Sequence, residues 1–265
     1  MDSCSKSARE SSSPFDSLVF DLDDTLYSSK TGIGEALKKN IDDFLVERCG
    51  FAPDKASSLR VELFKTYGSS LAGLRALGYD VDADDYHSVV HGRLPYHLIK
   101  PDSQLRNLLR SIPQRKIIFT NSDRIHAMKA LKRLGLEDCF DQIVCFETMN
   151  PDLSRSARPD EFPVVLKPSP EAMRITLRET SVDPCRTLFL DDNVRNIAAG
   201  KAVGLRTVLV GKTVKTKEAD YTLDAVNNLP KAVPEIWVDP NDDGDQIIIS
   251  STRNEIDSIL TPVGA

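Results

Sequence analysis

Residues 16–26 constrain this chain more than any other stretch. Within them Leu18-Val19-Phe20 is an unbroken apolar run, short enough for a strand buried on both faces in a parallel sheet. Such a strand delivers Asp21 and Asp23 directly off its C-terminal end, where open α/β sheets place their ligand sites. Two carboxylates one residue apart at that point are costly unless something positive lies between them. Mg²⁺ takes oxygen ligands and few protein carboxylates, so a magnesium ion together with a transferring phosphoryl group suits the pair. A capped strand end is the plain alternative for an isolated Asp-x-Asp. The strand before it and Asp24-Thr25-Leu26 after it favour chemistry.

Beyond the strand, residues 27–33 read as a linker. Ala36, Leu37, Ile41, Phe44 and Leu45 then recur at helical spacing and stop near Gly50. Shorter helical patterns follow at 56–67, 70–77 and 82–91, and nothing between 31 and 96 reads as a strand. Pro101 opens an α/β alternation: helices over 103–111, 124–134 and 193–203, a helix start at Ser169-Pro170-Glu171, and strands over 116–120, 142–146, 187–190 and 206–210. Five strands with intervening helices predict an α/β fold, a doubly wound parallel sheet of Rossmann-like type with a small all-helical cap inserted after the first strand. On this reading residues 15–30 and 97–237 form the core domain and 31–96 the cap. Residues 1–14 form a disordered, Ser-rich tail. Residues 238–265 form a mobile tail whose one apolar patch is Ile247-Ile248-Ile249.

Three further stretches fall at strand ends or helix starts on the side that carries Asp21. Thr120, in Phe119-Thr120-Asn121-Ser122, offers a hydroxyl beside the N–H groups of a helix start, which suits a phosphate oxygen. Lys167 follows Val164-Val165-Leu166, so its charge emerges from an apolar setting and needs a counter-anion. Asp191 and Asp192 end the strand Leu188-Phe189-Leu190 as a second carboxylate pair. Singly each has a plain reading as a satisfied hydroxyl, a surface ion pair or a helix cap. Their order and their shared place at strand ends make coincidence a poor account.

Asp21 to Thr25, Thr120, Lys167 and Asp191-Asp192 together resemble the four-motif signature of the haloacid dehalogenase superfamily. More narrowly, Asp24-Thr25-Leu26-Tyr27, the segment from His91 to Tyr96 and the segment from Phe119 to Asp123 resemble its pyrimidine 5′-nucleotidase-like branch. The resemblance implies a Mg²⁺-dependent phosphomonoester hydrolase in which Asp21 attacks phosphorus and Asp23 acts as proton donor and then acceptor. It implies metal ligation by Asp21, the backbone carbonyl of Asp23 and Asp192, with Asp191 acting indirectly through water. Phosphate contacts would come from Leu22, Asp23, Thr120, Asn121 and Lys167. Tyr27, Arg93 and Tyr96 would meet a nucleoside 5′-monophosphate, xanthosine monophosphate first and pyrimidine monophosphates next. Arg93 and Tyr96 have an equally plain reading as braces where the cap rejoins the core.

Composition narrows the other classes. The 265 residues carry a formal charge of −6 with no basic cluster, which argues against a nucleic-acid partner. No apolar run reaches membrane-spanning length and the N-terminus lacks a signal-peptide core, so a cytoplasmic monomer or homodimer is expected. Five scattered cysteines without a Cys-x-x-Cys pair read as reduced thiols. His87, His91 and His97 fall close together, yet no Cys or carboxylate completes a zinc set at usual spacing. A dehalogenase would share Asp21 but need neither Asp23 nor Asp192. A phosphomutase would share every motif. A non-catalytic protein on the same scaffold usually lacks a motif carboxylate or the lysine.

Overall fold

The computed structural model describes residues 13–153, 163–212, 214 and 216–238. Both expected tails therefore lie almost wholly outside the described residues, and so does Ile247-Ile248-Ile249.

Six strands form one parallel sheet: β1 (Ser17–Phe20), β2 (Arg115–Phe119), β3 (Gln142–Val144), β4 (Thr187–Asp191), β5 (Arg206–Val210) and β6 (Tyr221–Leu223), in the order β3-β2-β1-β4-β5-β6. The chain winds outward from β1 in both directions, so the switch point of the topology lies at the end of β1. Register places the strand ends level there: Phe20 faces Ile118 of β2 on one side and Leu190 of β4 on the other. Pleating sends Leu18 and Phe20 into one buried cluster with Leu188, Leu190 and Val208, and Val19 into a second with Ile117, Phe119 and Phe189.

The expected doubly wound sheet is present, with two differences. A sixth strand, β6, is only three residues long, with two of them half-buried, too short for a periodic signal. The strand expected over 142–146 ends at Val144, because Phe146–Met149 turns into a short helix.

Between β1 and β2 lie α1 (Ile33–Glu47), α2 (Pro53–Tyr67), α3 (Ser70–Ala76) and α4 (Ala83–Val90), followed by a 3-10 turn at Tyr96–Leu98 and α5 (Ser103–Ser111). α1 packs on α2 and α4, and α2 on α3. Their apolar side chains, Phe44, Leu63, Leu74 and Tyr86 among them, belong to the same buried cluster as Val19 and Phe119. The remaining helices are α6 (Arg124–Leu134), α7 (Phe146–Met149), α8 (Pro170–Thr180), α9 (Val194–Ala202) and α10 (Leu229–Ala232). Local chemistry starts several of them: the Asp123 carboxylate accepts from the N–H of His126 at 3.1 Å, and Ser169 Oγ accepts from that of Ala172 at 3.1 Å.

α9 packs on β4 and β5 through Gly200. A Cβ there would stand 2.6 Å from Cδ1 of the fully buried Phe189. Overpacking of that kind costs about 1–3 kcal/mol. Gly200→Ala should therefore lower unfolding stability in urea despite its better helix propensity, and an unchanged midpoint would show that the Phe189 ring has room to move.

Candidate active site

The ends of β1, β2 and β4 and the loop before α8 converge on Lys167. This ammonium is buried, and it donates to Asp21 Oδ1 at 2.7 Å, Asp191 Oδ2 at 2.9 Å and the Phe119 carbonyl at 2.7 Å. Burial pushes its pKa down, but the charges of Asp191 and Asp21 outweigh it and the net shift is upward. Asn121 secures the loop: its Nδ2 donates to the Lys167 carbonyl at 3.0 Å and its Oδ1 accepts from the Lys167 N–H at 2.8 Å. The side chain of Asn121 is thus a backbone clamp, which the expectation of a phosphate-binding N–H did not foresee.

Asp21 is buried, and its Oδ2 accepts from Thr25 Oγ1 at 2.7 Å. Burial, reinforced by the charges of Asp191 and Asp23, pushes its pKa up to about 8 against the pull of Lys167. The left-handed backbone of Asp24 (φ 61°) follows the pair, and the N–H of Leu26 then returns to the Leu22 carbonyl. Leu22 itself is fully buried in the core cluster, so only its backbone is available to a phosphoryl oxygen.

Asp23 lives in the opposite environment. Its Oδ1 accepts from His126 Nε2 at 2.7 Å and from the Tyr27 hydroxyl, and its Oδ2 accepts from Ser122 Oγ at 2.9 Å and Thr120 Oγ1 at 3.5 Å. Burial raises its pKa, but the His126 charge and these donors win and hold it well below the usual carboxylate range. The two shifts run opposite to what an acid–nucleophile pair needs, an ionised Asp21 and a protonated Asp23; a cation beside Asp21 would lower the one, and an anionic phosphate beside Asp23 would raise the other.

Carboxylate oxygens of Asp21, Asp191 and Asp192 lie within 4.8 Å of one another. One ammonium faces these three groups. Asp192 has no hydrogen-bond partner among the described residues, and burial with the charges of Asp191 and Asp24 pushes it up to about 6. Asp191 is already committed, accepting from Asn196 Nδ2 at 2.9 Å and the Asn193 N–H at 2.9 Å as well as from Lys167. A hard divalent cation fits this set of oxygens, with Asp192 the least committed donor.

The expected substrate contacts distribute differently. Arg93 is exposed on the surface, donating from Nη2 to Glu47 Oε2 at 2.9 Å, and does not line the cavity beside the site. It braces the cap because its nearby counter-charges, Glu47 and Asp43, stand on α1. Tyr27 and Tyr96 do not line that cavity either: Tyr27 bonds Asp23, and the Tyr96 hydroxyl lies 2.9 Å from His126 Nδ1. The cavity, about 370 Å³, lies between the helical insert and the sheet, bounded by Lys38, Arg60, Phe64 and Tyr86 on one side and Asn121 and Ser122 on the other. His87 and His91 stack face to face, rings 5.3 Å apart and 10° from parallel, and the described residues hold no histidine metal cluster. His126 and Ser122 escaped sequence reasoning. A histidine in the first turn of a helix reads as surface until the fold turns that turn inward.

The family model of haloacid dehalogenase-like hydrolases matches residues 15–204, and the chain belongs to that family. It is 28% identical over 199 residues to Phosphate metabolism protein 8 of Saccharomyces cerevisiae, covering 72% of this chain and 60% of the yeast protein's length. It is 27% identical over 208 residues to a glyceraldehyde 3-phosphate phosphatase of Pyrococcus abyssi, covering 72% of this chain and 79% of that one. Among solved structures, CbbY from Rhodobacter sphaeroides in complex with phosphate superposes with a TM-score of 0.56 at 20% identity, covering 81% of this chain and 96% of that one. This likeness bears on the fold.

Two outcomes follow from the site. The nucleophile role expected of Asp21 predicts that Asp21→Asn lowers turnover of any substrate by at least about a thousandfold while the protein stays folded. Saturating Mg²⁺ at a hundred times its Kd should stabilise the chain by about 2.7 kcal/mol in a melting titration, and Asp192→Asn should erase most of that gain. A melting temperature indifferent to Mg²⁺ would remove the metal from these carboxylates.

Proposed function

We propose that this chain is a Mg²⁺-dependent phosphomonoester hydrolase that works through an aspartyl-phosphate on a nucleoside 5′-monophosphate. Xanthosine monophosphate is the preferred substrate and pyrimidine monophosphates are next. The observation that carries the phosphatase reading is the pairing of Asp21, held by Lys167 at 2.7 Å, with an Asp23 held from a separate set of donors.

In this reading the Asp21 carboxylate attacks phosphorus in line. The ester P–O bond breaks, its electron pair goes to the leaving oxygen, and Asp23 supplies the proton there. His126 and the donors around Asp23 favour its ionised form. An entering phosphate brings negative charge beside it and raises its affinity for a proton. Water then attacks the aspartyl-phosphate, Asp23 takes the water proton, and phosphate leaves with Asp21 restored. Lys167 and Thr120 hold the non-transferring oxygens. Asp21, the Asp23 carbonyl and Asp192 would hold Mg²⁺, which neutralises phosphoryl charge when bound.

The nucleotide reading draws on the cavity. Its volume falls in the range of small-molecule pockets, and Phe64 and Tyr86 offer flat apolar faces to a base. Lys38 and Arg60 are its cations, in place of Arg93. Xanthine presents ring carbonyls and an acidic imide to such donors. Guanine presents an amino group at one of those positions, and an unpaired buried donor costs about 1–3 kcal/mol, roughly tenfold to a hundredfold in kcat/KM.

A panel of xanthosine, guanosine, cytidine and uridine monophosphates, glyceraldehyde 3-phosphate and p-nitrophenyl phosphate, ranked by kcat/KM with Mg²⁺, tests this. Xanthosine monophosphate should lead. Arg60→Ala should narrow its lead over guanosine monophosphate, whereas Arg93→Ala should leave that ratio alone. A triose phosphate ahead of every nucleotide would overturn the nucleotidase reading and leave the phosphatase reading standing.

A further inference from the structure

Asp23 takes no bond from Lys167 among those that organise the site. Its carboxylate is gripped by His126 of α6, by Tyr27 just past β1, and by Ser122 and Thr120 just past β2. The His126 ring, 2% exposed, is fixed on both sides. Nε2 meets Asp23 Oδ1 at 2.7 Å, and Nδ1 meets the Tyr96 hydroxyl at 2.9 Å. The Tyr96 hydroxyl donates to the His91 carbonyl at 3.3 Å, so its oxygen accepts from Nδ1–H while Nε2–H is directed at the carboxylate, and the ring carries the positive charge that faces Asp23. The backbone beneath the ring is fixed too, because the His126 N–H donates to Asp123 Oδ1, which also lies 2.9 Å from His91 Nδ1. Burying an imidazole costs stability unless both nitrogens are bonded, and here both are.

The two oxygens of Asp23 are consequently unlike. Oδ1 is occupied by His126 and Tyr27, whereas Oδ2 faces Ser122 and, at 3.5 Å, Thr120, on the side where the phosphoryl group would sit. We propose that His126, itself oriented by Tyr96, is a positioning residue that fixes the Asp23 rotamer so that Oδ2 delivers the proton to the departing oxygen. This rests on the phosphatase reading above. The step balances: the P–O bond breaks, its electron pair stays on the leaving oxygen, the Oδ2 proton moves there, and the negative charge left on Asp23 is held at Oδ1 by His126 and Tyr27. Tyr96 opens the turn at Tyr96–Leu98, where the insert rejoins the sheet, so the same pair of bonds ties the acid to that hinge.

Leaving-group dependence separates this role from mere support of the fold. A nucleoside 5′-monophosphate expels an alkoxide that needs the proton, whereas p-nitrophenyl phosphate expels a phenolate that does not. kcat/KM reads only the steps through departure of that group, so slow hydrolysis of the aspartyl-phosphate does not mask the comparison. His126→Phe should cost about a hundredfold or more on the nucleotide, the scale of a lost general acid, and at least about tenfold less on the aryl ester. His126→Gln, which returns a donor near the Nε2 position, should recover most of the difference. Tyr96→Phe keeps the ring and should shift the ratio of the two substrates in the same direction by a smaller factor. Melting curves establish which variants fold, and if His126→Phe does not, Tyr96→Phe decides. Equal losses on both esters, or a Tyr96→Phe ratio equal to wild type, would overturn the positioning role while leaving the phosphatase reading intact. A wild-type protein that hydrolyses neither ester would overturn both.

Discussion

A buried ammonium holds three strand ends together. Taking Lys167 out of water carries a penalty of several kcal/mol, and it is offset only because each donor finds an acceptor of the right charge or polarity. Those acceptors come from different places in the chain: Asp21 just past β1, the Phe119 carbonyl at the end of β2, and Asp191 at the end of β4. The rings of Phe119 and Phe189 lie 4.9 and 5.8 Å from Nζ, which lowers the local dielectric and strengthens every one of these attractions. The level register of β1 with β2 and β4 is what lets one side chain reach all three. A one-residue slip in either pairing would separate the carboxylates and leave a charge without its partner.

Electrostatic imbalance then gives the site its chemistry. One ammonium among three close carboxylates leaves excess negative charge, which adds to burial in pushing Asp21 and Asp192 upward. A cation relieves that excess directly. Asp23 stands outside the imbalance because His126 answers it from the far side, although it is only two residues from Asp21 in the chain. An unbroken strand would put positions two apart on the same face, but β1 ends at Phe20 and the chain turns at Asp23 and the left-handed Asp24, so Asp21 faces the lysine and Asp23 a histidine.

Much of this was legible in the sequence for a simple reason. Asp21, Asp23, Thr120, Asp191 and Asp192 sit at or just past strand ends, and a buried parallel strand announces itself by an apolar run, as the apolar Val164-Val165-Leu166 announces Lys167 in the loop before α8. The sheet and the helical insert followed from periodicity alone. What stayed hidden depends on contacts between segments far apart in the chain. His126 is 103 positions from Asp23, and nothing local marks it as buried. The N–H of Asn121 was expected to meet phosphate, but nothing local marked its side chain as the clamp on Lys167 across 46 positions. β6 pairs by its backbone with too few side chains to show a pattern. Arg93 was misplaced because a charge near a hinge is drawn to whichever counter-charge the packing offers, and Glu47 on α1 supplied one.

Selectivity and phosphoryl transfer use different parts of the molecule, and the structure shows where they touch. In the proposed reaction residues at the strand ends would take the phosphate, while Phe64, Tyr86 and Arg60 of the insert bound the cavity. A purely modular arrangement would leave the insert free to change without consequence for the acid. Tyr96 prevents that, because the residue that ends the excursion through α1 to α4 bonds the histidine that bonds Asp23. A shift of that turn by the reach of one hydrogen bond would release the imidazole and, with it, the orientation of the proton donor. Proton transfer is steep in distance, so an insert that packs around the right substrate and one that packs around the wrong one need differ by only a fraction of an ångström at Tyr96 to differ in rate.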